Sequence, residues 1–136
     1  MKIERKSGIL LHITSLPGPY GIGTLGRNAF NFVDFLVKAK QKIWQILPLG
    51  PTGYGDSPYQ SFSTFAGNPL LIDFEKLVEK GWLNVSELDN APGNDNYVDF
   101  GPVIEFKFKT LQEAFRGFKK LASSDENMVF SNFCAE

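Results

Sequence analysis

Gly8-Ile-Leu-Leu-His-Ile-Thr14, Arg27-Asn-Ala-Phe-Asn-Phe-Val-Asp-Phe-Leu-Val-Lys-Ala-Lys40 and Lys42-Ile-Trp-Gln-Ile-Leu47 follow one another in the chain, and their order decides the fold. The first and third are short apolar runs bounded by turn residues, the pattern of strands covered on both faces. Strands are expected over residues 8–14 and 43–48. Between them, Phe30, Val33 and Val37, with Phe32, Phe35, Leu36 and Ala39, give a broad apolar face at helical spacing. Lys38, Lys40 and Lys42 sit at the helix's carboxyl end, where they suit its dipole. Strand, helix and strand make a βαβ unit, whose strands should be parallel and whose crossover should be right-handed. The fold class is α/β.

Binding sites in parallel α/β folds form at the carboxyl ends of strands. Both loops expected there are rich in Gly and Pro. No Asp, Glu, Lys or Arg occurs from Ser7 apart until Arg27, so Ser15-Leu-Pro-Gly-Pro-Tyr-Gly-Ile-Gly-Thr-Leu-Gly26 is uncharged. The second, Leu47-Pro-Leu-Gly-Pro-Thr-Gly-Tyr-Gly-Asp-Ser-Pro-Tyr-Gln-Ser-Phe-Ser-Thr-Phe-Ala-Gly-Asn-Pro69, carries a single charged residue, Asp56. Glycine and proline forbid a regular helix here and supply turns. A connection of about 20 residues without its own helix or strand is uncommon and usually functional or disordered. Tyr54, Tyr59, Phe62 and Phe65 give it apolar surface, which favours order, and Phe62 and Phe65 are expected to pack within the loop.

The remainder is mainly helical. Pro69–Asp73 reads as a short extended piece, 74–80 as a short helix closed by Gly81, and 84–100 as polar with one helical turn. Residues 101–121 read as a long amphipathic helix through Val103, Phe106, Phe108, Leu111, Ala114, Phe115, Phe118 and Leu121, and 126–135 as a last helical segment. No internal repeat is evident.

The 136 residues are 43% hydrophobic and 21% charged, which suits one modest soluble domain. Charge is uneven: residues 1–72 carry 7 basic and 3 acidic groups, and residues 73–136 carry 7 and 12. Neither half has a clustered basic stripe, which argues against a nucleic-acid surface. Cys134 is the only cysteine, so there is no intramolecular disulfide and no multi-Cys metal site. A half-buried thiol is expected. Ile9-Leu-Leu11 is too short for a signal-peptide core, and no run approaches a membrane span, so a cytoplasmic setting is the default.

Gly21-Ile-Gly-Thr-Leu-Gly26 matches G-x-G-x-x-G, yet a dinucleotide fingerprint follows its strand at once and is answered by an acid about 20 residues on. Leu16–Tyr20 intervenes here, and no acid ends the second strand. His12, the only histidine, lies on an apolar run, where a structural role bonded to backbone outweighs catalysis; with no second His, a metal site lacks ligands. Ser15 or Ser57 with His12 and Asp56 makes a triad on paper, without the G-x-S-x-G elbow. Trp44 reads as core. Tyr54 and Tyr59 sit among Gly, Ser, Pro and Asp, which bury little. Such rings are either structural or free to stack on the apolar faces of sugars, with Asp56, Ser57 and Gln60 near for hydroxyls.

Residues 8–26 together with Trp44-Gln-Ile-Leu-Pro-Leu-Gly-Pro-Thr-Gly-Tyr-Gly-Asp-Ser-Pro-Tyr-Gln-Ser-Phe-Ser-Thr-Phe-Ala-Gly-Asn-Pro69 closely resemble the amino-terminal region of glycoside hydrolase family 77, the 4-alpha-glucanotransferases also called amylomaltases or disproportionating enzymes. The resemblance is dense over residues 7–73, most specific at Gly53–Gln60, and looser beyond. It implies a partial (β/α)8 TIM barrel, with residues 1–73 as its first βα units and 74–136 as a truncated, mainly helical inserted subdomain. It implies transfer of α-1,4-glucan segments to a 4-hydroxyl by a retaining mechanism, on maltodextrin or a similar glucan, with no cofactor. It also implies that Tyr59 stacks on the sugar beside the scissile bond, that Ser57 and Asp56 shape that end of the cleft, and that Tyr54 belongs to a secondary glucan groove. A complete barrel takes about 250 residues, and none of the 15 acids here matches the family's catalytic carboxylates. The chain is therefore expected to be a piece or a truncated product, carrying substrate loops without the reacting groups. The competing class is a non-catalytic carbohydrate-binding or structural module.

Overall fold

The computed structural model describes residues 4–53, 55–63, 65–93 and 96–135. Strands β1 (Gly8–Leu10) and β2 (Ile43–Gln45) pair in parallel, with Gly8 opposite Ile43, Ile9 opposite Trp44 and Leu10 opposite Gln45. Helix α1 (Arg27–Lys38) lies between them in the chain. The βαβ order expected from the sequence is present, with shorter strands. β1 stops at Leu10 because His12 caps a 3-10 turn over Ile13–Ser15, its side chain accepting the Thr14 N–H. A local side-chain bond of this kind competes with a strand ladder.

The buried side of α1 is not the stripe that Phe30, Val33 and Val37 suggest. Ala29 and Leu36 are buried, and Phe32 packs edge-on against Trp44 at 4.9 Å. Phe30, Val33 and Val37 face outward with Phe35. The sheet is likewise covered on one face only, since Ile9 and Trp44 are half-buried while Leu10 and Ile43 are exposed. Trp44 also donates its indole N–H to the Leu11 carbonyl at 2.8 Å.

Beyond the sheet come a 3-10 turn at Pro69–Leu71, in place of the expected extended piece, and α2 (Phe74–Glu79). A further 3-10 turn at Val85–Leu88 leads to α3 (Phe100–Leu121) and α4 (Ser124–Ala135). Asp73 starts α2 by accepting the Glu75 N–H at 3.0 Å. Ser123 and Glu126 form a reciprocal box at the start of α4: the Ser123 hydroxyl accepts the Glu126 N–H at 3.2 Å and the Glu126 carboxylate accepts the Ser123 N–H at 2.9 Å. Glu126 also pairs with Lys80 at 2.8 Å. That bond, then the Ser123 N–H, holds its carboxyl below the usual range. Cys134 is exposed on α4, not half-buried as expected.

Three apolar clusters make the core, and the first loop enters all of them. Ile13 and Leu16 pack with Ala29 and Leu71. Tyr20 packs with Phe74, Leu83 and Ala114. Ile22 packs with Leu70 and Val103. The stretch Tyr20–Thr24 is buried throughout, which makes this loop the centre of the packing and not an open rim. Gly23 shows the tightness: its N–H donates to the Thr14 carbonyl at 3.1 Å, and a Cβ there would run into the Ile13 carbonyl oxygen.

Candidate substrate-binding loops

The second loop leaves β2 and returns to the core at Leu70. Its neck is closed by Asn68, whose amide donates to the Gly50 carbonyl at 3.4 Å while its side-chain oxygen accepts the Leu70 N–H at 3.0 Å. Above the neck Thr52 and Ser61 form an isolated antiparallel bridge. Two turns follow, with the Asp56 N–H on the Gly53 carbonyl at 3.2 Å and the Gln60 N–H on the Ser57 carbonyl at 2.9 Å. The Gly53 N–H donates to the Gln60 carbonyl at 3.1 Å and joins the two turns. Gly55 and Asp56 both take left-handed backbone, with φ of 86° and 53°. Two such residues in succession reverse the chain, and Asp is among the side chains that tolerate the second position. Backbone bonds thus shape this loop, as its composition requires.

Tyr59 stands 74% exposed in the second turn, with Ser57 half-buried in that turn and Asp56 half-buried at the end of the first. The structure therefore brings Asp56, Ser57 and Tyr59 together at one loop tip. Tyr54 lies outside the described residues. Phe62 and Phe65 depart from expectation. The Phe62 ring lies over Gly53 yet the residue is 83% exposed, and Phe65 is 97% exposed. Loop order comes from hydrogen bonds, so these rings are not needed to hold it. Ser63, for example, accepts the Phe65 and Ala66 N–H groups through its hydroxyl at 3.3 and 3.2 Å.

His12 links the two strand ends. Nδ1 accepts from the Thr14 hydroxyl at 2.8 Å and from the Thr14 N–H at 3.4 Å, which leaves the proton on Nε2, 3.4 Å from the Pro48 carbonyl. Both ring nitrogens thus face protein atoms, Thr14 on one side and the Pro48 carbonyl on the other.

Sequence reasoning missed one node beneath the loops. Lys107 of α3 is fully buried. Its ammonium donates to the Ile72 carbonyl at 2.7 Å and lies 4.2 Å from the Phe74 ring centre and 5.6 Å from that of Tyr20. Burial pulls its pKa down to about 8, against the opposing pull of Asp73. Burial, then Asp73 and Glu75, pushes the Tyr20 phenol up. Asp73 itself accepts the buried Thr24 hydroxyl at 2.7 Å. Lys107 shares one face of α3 with Val103, Thr110 and Ala114, the other buried positions of that helix.

Comparison with known proteins bears on the family and the backbone. The family model described as 4-alpha-glucanotransferase matches residues 11–136. A 4-alpha-glucanotransferase of Thermus thermophilus is 53% identical over 133 residues, covering 98% of this chain and 26% of the relative. The chloroplastic/amyloplastic enzyme of Solanum tuberosum is 43% identical over 126 residues, covering 90% of this chain and 21% of its own. The solved amylomaltase from Streptococcus agalactiae, in complex with acarbose, superposes with a TM-score of 0.87 at 46% identity over 96% of this chain and 26% of that one. The chain spans about a quarter of the length of the curated relatives it matches. With a family model over nearly its whole length and a matching backbone, the chain belongs to the 4-alpha-glucanotransferases of glycoside hydrolase family 77.

Proposed function

We propose that residues 1–136 form the glucan-holding front of a cytoplasmic 4-alpha-glucanotransferase, which moves α-1,4-glucan segments onto a 4-hydroxyl of glucose or another maltodextrin. Residues 1–73 serve as the first βα units of a (β/α)8 barrel, and residues 74–136 belong to an inserted helical subdomain. Tyr59 stacks on a glucosyl ring, Asp56 and Ser57 bind hydroxyls at that end of the cleft, and Tyr54 contacts glucan farther off. The observation that carries this reading is Tyr59, an exposed ring on a loop fixed by its own backbone bonds. A rigid exposed ring loses little entropy on stacking against the apolar face of a sugar. The amylomaltase with a similar backbone was solved with acarbose, which supports a saccharide as the occupant.

The retaining reaction needs two carboxyl groups about 5–5.5 Å apart. The two loops at the strand ends carry only Asp56 between them. The resemblance to the family implies that the nucleophile and the acid/base belong to later barrel strands, and this stretch supplies binding.

The test grafts residues 1–136 in place of the matching quarter of the Thermus thermophilus relative. Transfer from maltotriose should persist in the graft. Tyr59→Ala should lower it by about 10–100-fold, the equivalent of the roughly 1.5–3 kcal/mol of a buried ring, with the fold intact by circular dichroism. The 136-residue chain alone should release no glucose above a no-enzyme control. Unchanged turnover in the Tyr59→Ala graft overturns the reading.

A further inference from the structure

The contacts of Lys107 lead stepwise to the loop that carries Tyr59. Its ammonium holds the Ile72 carbonyl. Ile72 closes the 3-10 turn Pro69–Leu71, its own N–H on the Pro69 carbonyl. Asn68 caps that turn and, through its amide, closes the loop neck at Gly50. The bridge of Thr52 with Ser61 and the turns that carry Tyr59 rise directly from this neck. Leu70 in the same turn packs with Val103, one helical turn before Lys107 on α3. The amine is spent on one backbone carbonyl and two ring faces, with Asp73 the acid beside it.

A lysine enclosed this completely is expensive. Taking its charge from water costs several kcal/mol, of which one hydrogen bond and ring contacts return a part. An apolar side chain of the same length would fill the space at lower cost, so simple filling does not account for an amine here. What the amine adds is a directed bond to a main-chain oxygen at the point where the loop rejoins the core.

We propose that Lys107 is a positioning residue for the sugar-binding loop: by tying the Ile72 carbonyl to α3, it fixes the neck at Gly50 and Asn68 and so the place where Tyr59 is presented. This rests on the glucan reading of Tyr59 only for its consequence in binding; the mechanical link is independent of it.

Lys107→Met keeps the length and removes the amine. The cost of an orphaned Ile72 carbonyl, about 1–3 kcal/mol, is offset by the charge no longer buried, so the variant folds. Hydrogen exchange at neutral pH on the graft described above should then show at least tenfold faster exchange at the Gly53, Gln60 and Leu71 amides, with amides inside α1 changed by less than twofold. Equal acceleration in the loop and in α1, or none in the loop, overturns the proposal. In the graft described above, Lys107→Met should raise KM for maltotriose at least fivefold and leave kcat within twofold. A fall in kcat with KM unchanged also counts against it. If Tyr59→Ala has no effect on the graft but loop exchange accelerates in Lys107→Met, the glucan reading fails and the positioning role stands.

Discussion

Lys107 holds its proton at neutral pH in a place that disfavours charge, and this makes stability depend on pH in an unusual direction. Its folded pKa is about 8, against 10.5 for the free side chain. Between those values the unfolded chain binds more protons than the folded one, so unfolding free energy rises with pH. Tyr20 acts oppositely: its raised pKa keeps the folded form protonated while the unfolded phenol ionises, so stability falls again as pH climbs past 10. Denaturant melts should show unfolding free energy growing by about 2 kcal/mol from pH 8 to pH 10 and then declining. Lys107→Met should be flat across the first interval; a wild-type profile that falls from pH 8 to 10 contradicts the assignment. At this scale the sequence told two stories. The exposure of Tyr59 was legible because its neighbours are too small and polar to bury a ring. Lys107 was not, because a charged residue on a helix reads as solvent-facing until a ring pair and a carbonyl are known to converge on it.

Elements were legible in kind and order, and their ends and faces less so. The chain of local bonds explains the ends. His12 turns the backbone out of β1, and Asn68 followed by Pro69 starts a 3-10 turn where an extended piece was expected. For α1, apolar residues circle most of the helix, so periodicity could not tell the side that meets Trp44 from the side that stays open. The first loop looked like a site from composition alone, because glycine serves close packing as readily as ligand approach. Gly23 makes the point testable. A methyl there meets the main chain, with Leu16 oxygen and nitrogen at 2.8 and 2.9 Å besides the Ile13 carbonyl. Gly23→Ala should cost about 3 kcal/mol or more, whereas Gly67→Ala, with open space around it, should stay within about 0.5 kcal/mol. Chemical denaturation compares the two, and equal effects would mean the first loop is not tightly packed.

The whole molecule shows apolar surface well beyond what a single domain of this size needs to expose. Leu10 and Ile43 on the uncovered sheet face, Phe30 and Val37 on α1, and Val129 and Phe133 on α4 are all exposed. With two short parallel strands each lacking an outer neighbour among the described residues, the 136-residue chain by itself should self-associate. Sedimentation velocity at micromolar concentration should show species larger than 15.2 kDa. A monodisperse monomer that melts cooperatively contradicts this. The placement of the first loop has a consequence in time as well as in space. Tyr20 and Ile22 are made early but find their neighbours at Ala114 and Val103. A nascent chain emerging from the ribosome can therefore begin to enclose these side chains with Leu70, Phe74 and Leu83, but the enclosure closes only once α3 has been synthesised.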